Sequence, residues 1–256
     1  MSDNVFWGTH SALAASAAPS MMLIGDSWFW YPFNNLAREI GVRRPHQQLL
    51  VVGRNGAEAA EWDTKYRKDI DFAFEMYGNS VSTLLLSGGG NDVAGMNDFL
   101  RLLKDDCSEE NDVPGCYRTA QPEALLAMIM GCYRALITKF RAYNPMAPVI
   151  LHQYDHAWPS GQGVFGPAKW LRAPMERAQV PEDLRKDLFT DLIRQLKIAQ
   201  SKLAMEPALG KVFVANTAGV LPDDADVWAN ELHPTPEGFA LLAREGLEPQ
   251  LRRVPV

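Results

Sequence analysis

Residues 21–31, MMLIGDSWFWY, run from an unbroken apolar stretch straight into a Gly-Asp-Ser turn. A short, continuous apolar run bounded by turn residues reads as a strand buried on both faces, the pattern of a parallel sheet. Residues 48–52 (QLLVV), 81–87 (VSTLLLS), 148–154 (PVILHQY) and 211–216 (KVFVAN) repeat it. Between them lie helical patterns at 34–40, 57–76, 97–104, 122–143, 181–205 and 236–251. Pro122, Pro181 and Pro236 each stand near the start of one, where a missing N–H costs least. Glu123 and Glu237 then fall in a first turn, where the helix dipole favours negative charge. Strand–helix alternation along the whole chain predicts an α/β fold, a three-layer doubly wound sandwich around a central, mostly parallel five-stranded sheet. One domain is expected over 1–256, with its core at about 21–251 and extended loops at 105–121 and 155–181.

The 256 residues are 47% hydrophobic and 22% charged, enough to build a core without disulfide or metal staples. Lys and Arg number 25 against 31 Asp and Glu, a net charge of −6 with no basic run, which argues against a nucleic-acid partner. The apolar runs are strand-sized, far short of the ~20 residues of a membrane-spanning helix. Residues 11–20 (SALAASAAPS) have the small side chains of a signal-peptidase site. No Lys or Arg precedes them and no apolar h-region is present, so the chain reads as cytoplasmic. Cys107, Cys116 and Cys132 lack zinc spacing and read as reduced, inert thiols, although Cys107 and Cys116 flank an acidic, turn-rich stretch and would be able to pair in an exported chain.

In an open α/β sheet, ligands sit outside the carboxyl ends of the strands, so the residues after each run carry the functional reading. After the first come Gly25-Asp26-Ser27-Trp28, after the second Gly53-Arg54-Asn55-Gly56, and after the third Gly88-Gly89-Gly90-Asn91-Asp92. Late in the chain comes Asn230-Glu231-Leu232-His233-Pro234. Taken singly, Ser27 reads as a helix cap and Gly56 as a turn residue. Together, a serine, a glycine N–H, a side-chain amide and a histidine at converging strand ends are the parts of an acyl-transfer site. Of His46, His152 and His156, only the last two stand four apart, and His152 falls in a strand and not a helix, so they read as strand-end and loop histidines; neither a metal nor an organic cofactor is expected.

These four blocks resemble those of the SGNH hydrolases, the GDSL lipase/esterase family, in the same order and over nearly all of the chain. The resemblance implies Ser27 as nucleophile, His233 as base, and oxyanion donors at Asn91 and at Gly56, with Gly53 the alternative glycine. It implies a small-molecule acyl ester as substrate, cleaved through an acyl-enzyme. An acyltransferase built on the same residues and a ligand-binding member without turnover are the alternatives. Trp28, Trp30 and Tyr154 are expected in an apolar pocket that favours acyl chains longer than acetyl. The chain departs from the family at Asn230, three residues before His233, where the family has its triad acid. An asparagine oxygen can still orient the imidazole but brings no negative charge. Glu231, or one of Asp223, Asp224 and Asp226, is the alternative source of that charge.

Overall fold

In the computed structural model, residues 3–254 are described; residues 1–2 and 255–256 of the expected domain lie outside them. The strands in chain order are β1 (Val5–Trp7), β2 (Met21–Gly25), β3 (Leu49–Gly53), β4 (Thr83–Ser87), β5 (Val149–His152), β6 (Gln162–Gly163), β7 (Gly166–Pro167) and β8 (Val212–Ala215). Six of them form one sheet in the order β1-β3-β2-β4-β5-β8, with every pairing parallel. All residues of β2 and β4 are buried, so helices cover both faces of the sheet and the fold is a doubly wound α/β sandwich. The sheet has six strands rather than the expected five. Val5–Trp7 pairs with Leu49–Val51, and three residues are too few to show a hydrophobic period.

Strand order places the site. β3 lies on one side of β2 and β4 on the other, so the chain reverses direction across the sheet at β2 and opens a crevice at the strand ends. The register sets Gly25 opposite both Gly53 and Ser87, so the three strands end level. A Cβ at Gly53, where φ is +120°, would fall 1.9 Å from the Gly25 carbonyl oxygen. One at Gly25 would fall 2.4 Å from that of Ser87. Only glycine permits the strand ends to converge this closely.

Helix Gln121–Arg141 packs on Glu182–Ala204, and Leu36–Arg43 on Pro236–Leu241. The helix expected at 57–76 forms only over Arg67–Tyr77, preceded by a single 3-10 turn at Ala59–Glu61. The one expected at 236–251 is interrupted by a wider π turn at Leu242–Leu247, just ahead of Pro249, which has no N–H to continue the ladder. Of the two long loops, 155–181 folds into the β6–β7 hairpin and helix Arg172–Arg177. Loop 105–121 holds Cys107 and Cys116, both buried free thiols, with the Cys107 Sγ donating to the Cys116 carbonyl at 3.6 Å. Among the described residues no helix is long and apolar enough to cross a membrane.

Candidate active site

The turn after β2 is locked by Asp26. Its carboxylate accepts the Trp28 N–H at 3.0 Å and so caps the short helix Ser27–Trp30. Ser27 is the first helical residue and projects into the crevice. Successive helical residues turn by about 100°, so Trp28 and Trp30 point to nearly opposite sides. Trp28 lines the crevice, Phe29 is core, and Trp30 packs edge-on against Trp7 of β1 at 5.0 Å. The expected pocket role of Trp30 is therefore not what its side chain does.

His233 arrives on a turn closed by its own carbonyl, which accepts the Ala229 and Asn230 N–H groups. Its Nε2 lies 2.7 Å from the Ser27 Oγ, and its Nδ1 lies 3.0 Å from the Asn230 Oδ1. The same Oδ1 also receives the main-chain N–H groups of Leu232 and His233, each at 3.0 Å. Main-chain N–H groups only donate, so the atom facing them is the amide oxygen, and the proton of the His233–Asn230 bond sits on Nδ1. Nε2 is then the free acceptor for the Ser27 hydroxyl. The Asn230 Nδ2 donates in turn to the Tyr31 hydroxyl at 2.9 Å, and the Tyr31 ring lies flat on the imidazole, 4.0 Å between centroids and 4° from parallel. Burial pushes His233 down to about 4, leaving the ring neutral near pH 7.

None of the acids that are alternatives to Asn230 faces the imidazole. Asp223 pairs with Lys186, and Asp224 caps the Asp226 N–H; all three aspartates are exposed. Glu231 is fully buried but turned away, accepting the N–H groups of Gly161 at 2.9 Å, Leu171 at 3.1 Å and Arg172 at 2.8 Å. Its carboxylate pins loop 155–181 beside the histidine. No local pattern announces this role, because the donors stand 59 to 70 residues upstream.

Across the crevice, the Asn91 Nδ2 donates to the Ala57 carbonyl at 3.0 Å, and Asp26 Oδ2 lies 3.4 Å from it. The Asp92 carboxylate accepts the Ala59 and Ala60 N–H groups at 2.7 and 3.1 Å, tying the turn after β3 to the turn after β4. Gly56 stands in that first turn at φ +74°, exposed. Gly53 is spent on the close approach to β2.

Beneath Ser27 lies a buried polar cluster to which the sequence pattern gives no clue. The Asp26 Oδ2 accepts the Tyr154 hydroxyl at 2.5 Å, and Oδ1 accepts the Ser87 hydroxyl at 3.2 Å. The Ser87 Oγ is also 3.1 Å from the His152 Nδ1. Burial raises Asp26 to about 6 and lowers His152 to about 3. Ser27, Trp28, Asn91 and Tyr154 border a narrow slot walled by Val93, Phe189, Ile193 and Leu232, with about 20 Å³ of free space, close to what one water molecule needs.

The sequence matches no family model and no curated protein. Solved structures do resemble it. Lipase Lip_vut3 from a goat rumen metagenome superposes with a TM-score of 0.57 at 14% identity, over 92% of this chain and 97% of that one. Phospholipase A1 from Streptomyces albidoflavus NA297 gives 0.55 at 16%, over 93% and 100%. A GDSL-like lipase from Bacteroides thetaiotaomicron gives 0.53 at 13%, over 96% of each. The fold is that of the GDSL-like lipases. In that GDSL-type fold, Ser27, His233 and Asn230 meet at the crevice where the strand order reverses.

Proposed function

We propose that this protein is a serine hydrolase of carboxylic esters, and that it works through an acyl-enzyme. The observation that carries the reading is the directed chain from the Ser27 Oγ to the His233 Nε2 at 2.7 Å and from Nδ1 to the Asn230 Oδ1 at 3.0 Å. The lipases and phospholipase A1 that share the fold are in keeping with it.

Ser27 attacks the acyl carbon and its proton passes to the His233 Nε2. The Ser27 and Gly56 N–H groups and the Asn91 amide receive the oxyanion. Collapse breaks the ester C–O bond, and His233 returns the proton to the departing alcohol. Water then attacks the acyl-enzyme, giving its proton to His233; collapse breaks the bond to the Ser27 Oγ, which takes that proton back from Nε2 as the acid leaves. The slot between Trp28, Val93, Phe189 and Ile193 seats the acyl group, and its narrowness favours short acyl esters over the longer chains expected from the aromatic-rich sequence.

A fluorophosphonate probe tests the assignment at neutral pH. One adduct per chain is expected on the wild type, mapped to Ser27 by peptide mass spectrometry, and none on Ser27→Ala. Equal labelling of Ser27→Ala would overturn it.

A further inference from the structure

His233 presents an energetic difficulty. A neutral, buried imidazole is a ready acceptor but a weak base, and taking the Ser27 proton turns it into a buried cation. Its Nδ1 partner is an amide, not a carboxylate. The carboxyls on the adjoining residues look elsewhere, Asp26 to Trp28, Ser87 and Tyr154, and Glu231 to Gly161, Leu171 and Arg172. Among the described residues, the other hydrogen-bonding and aromatic partners of the ring are the Ser27 Oγ, the Trp170 ring at 6.3 Å and edge-on, and Tyr31.

We infer that Tyr31 is a positioning residue that stands in for the missing carboxylate, its ring face stabilising the His233 imidazolium and its hydroxyl fixing the Asn230 amide. The inference rests on His233 being the base. An aromatic face attracts a cation far more than a neutral ring, and more strongly out of water. Tyr31 is 5% exposed and lies parallel to the imidazole at 4.0 Å, so its contribution grows as the proton arrives, which is the condition for accelerating a chemical step. Its hydroxyl, held by the Asn230 Nδ2 at 2.9 Å, keeps the amide oxygen turned toward Nδ1. The ring is placed by the nucleophile turn itself: the Tyr31 N–H donates to the Ser27 carbonyl at 2.6 Å, and the Tyr31 carbonyl accepts from Asn35 at 2.9 Å. Burial, which alone drives His233 down to about 4, leaves room for such a stabiliser to act.

The test is a set of pH–rate profiles on p-nitrophenyl acetate for wild type, Tyr31→Phe, Tyr31→Leu, Asn230→Asp and Tyr31→Leu/Asn230→Asp. Removing the face in Tyr31→Leu should lower kcat by about tenfold with KM nearly unchanged, and should move the acid limb of kcat/KM to lower pH, because the imidazolium is less stable. Tyr31→Phe keeps the face and should leave the acid limb in place. With a carboxylate restored by Asn230→Asp, the loss from Tyr31→Leu should shrink to about twofold. If Tyr31→Leu does not fold, Tyr31→Met, closer in volume, replaces it in both backgrounds. An unmoved acid limb, or the same fold loss in both backgrounds, overturns the inference. If Ser27→Ala kept full activity, the serine-hydrolase reading with Ser27 as nucleophile would fall; a dead Ser27→Ala beside an ordinary Tyr31→Leu removes only the role of Tyr31.

Discussion

Ser27 stands between two buried polar clusters with opposite electrostatics. On the His233 side the groups bonded to or stacked on the imidazole are neutral: the Asn230 amide and the Tyr31 ring, around an imidazole held uncharged by burial. On the other side sits a carboxylate, Asp26, 1% exposed and served by the Trp28 N–H and the hydroxyls of Ser87 and Tyr154. Ser87 has one proton; when Asp26 takes it, His152 must donate to Ser87 from Nδ1. A buried carboxylate persists where such donors converge on it. The Asn230 oxygen already takes three donors without carrying charge. The fold therefore sets a buried carboxylate on the residue next to Ser27 and an amide, not a carboxylate, on the Nδ1 of His233, the reverse of a Ser-His-Asp arrangement.

The largest effect expected from this contrast is at Asn91, which borders the crevice and whose amide lies between the Ala57 carbonyl and Asp26 Oδ2. Asn91→Ala should lower kcat by roughly 10²–10³ with little change in KM, because an oxyanion donor acts mainly on the transition state. Steady-state kinetics on p-nitrophenyl acetate decide it, and a loss confined to KM would make Asn91 a ground-state contact instead.

Next in size is the cost of burying Asp26. Its pKa, raised from 3.8 to about 6, means that the folded chain holds this proton over a window where the unfolded chain has released it. Stability therefore falls as pH rises from about 4 to 6, and above 6 a deficit on the order of 3 kcal/mol is fully present. Asp26→Asn keeps an oxygen for the Trp28 cap and removes the charge. Urea unfolding at several pH values should give it a flatter pH dependence and greater stability than wild type at pH 7. Parallel curves for the two proteins would show that the donors around Asp26 already offset its burial.

How much of this is legible in the sequence depends on the length and locality of each signal. β2 can be read at its observed bounds, and the other central strands within a residue or two, because continuous apolar runs about five residues long need no partner to be recognised. β1 escapes such a reading because a three-residue edge strand is defined by its pairing with Leu49–Val51 and not by its own pattern. Ser27, His233 and Asn230 are legible as a group because each follows a strand or precedes a helix with turn residues around it. Glu231 reads as a candidate acid but serves a loop, and Tyr31 reads as one more aromatic beside the nucleophile but lies on the imidazole. Both depend on contacts between segments far apart in sequence, to which neither period nor motif is sensitive.

The smallest effect expected, and the sharpest on the contrast, is at Asn230. In Asn230→Asp one carboxylate oxygen can keep the N–H groups of Leu232 and His233 and the Nδ1–H, since all three are donors. The Tyr31 hydroxyl, an acceptor toward the Asn230 Nδ2, can rotate and donate to the second oxygen. Geometry is thus preserved while the base gains a charged partner. An opposite charge favours the protonated ring, so His233 should rise from about 4, and the acid limb of kcat/KM should move up with it by about one pH unit or more. At pH 7 the ring is still neutral and ready, and its imidazolium is better stabilised, so kcat should rise a few fold, with about tenfold the ceiling if the limb moves by one pH unit. Opposing this is the burial of a new charge at a position only 1% exposed, which should appear as a lower midpoint in urea. Asn230→Ala is the control: it deletes the orienting oxygen, leaves two main-chain N–H groups and the Tyr31 hydroxyl without their partner, and should cost far more activity than Asn230→Asp. If Asn230→Ala were as active as wild type, the imidazole would not depend on this residue, and the neutral cluster would be a feature of packing alone.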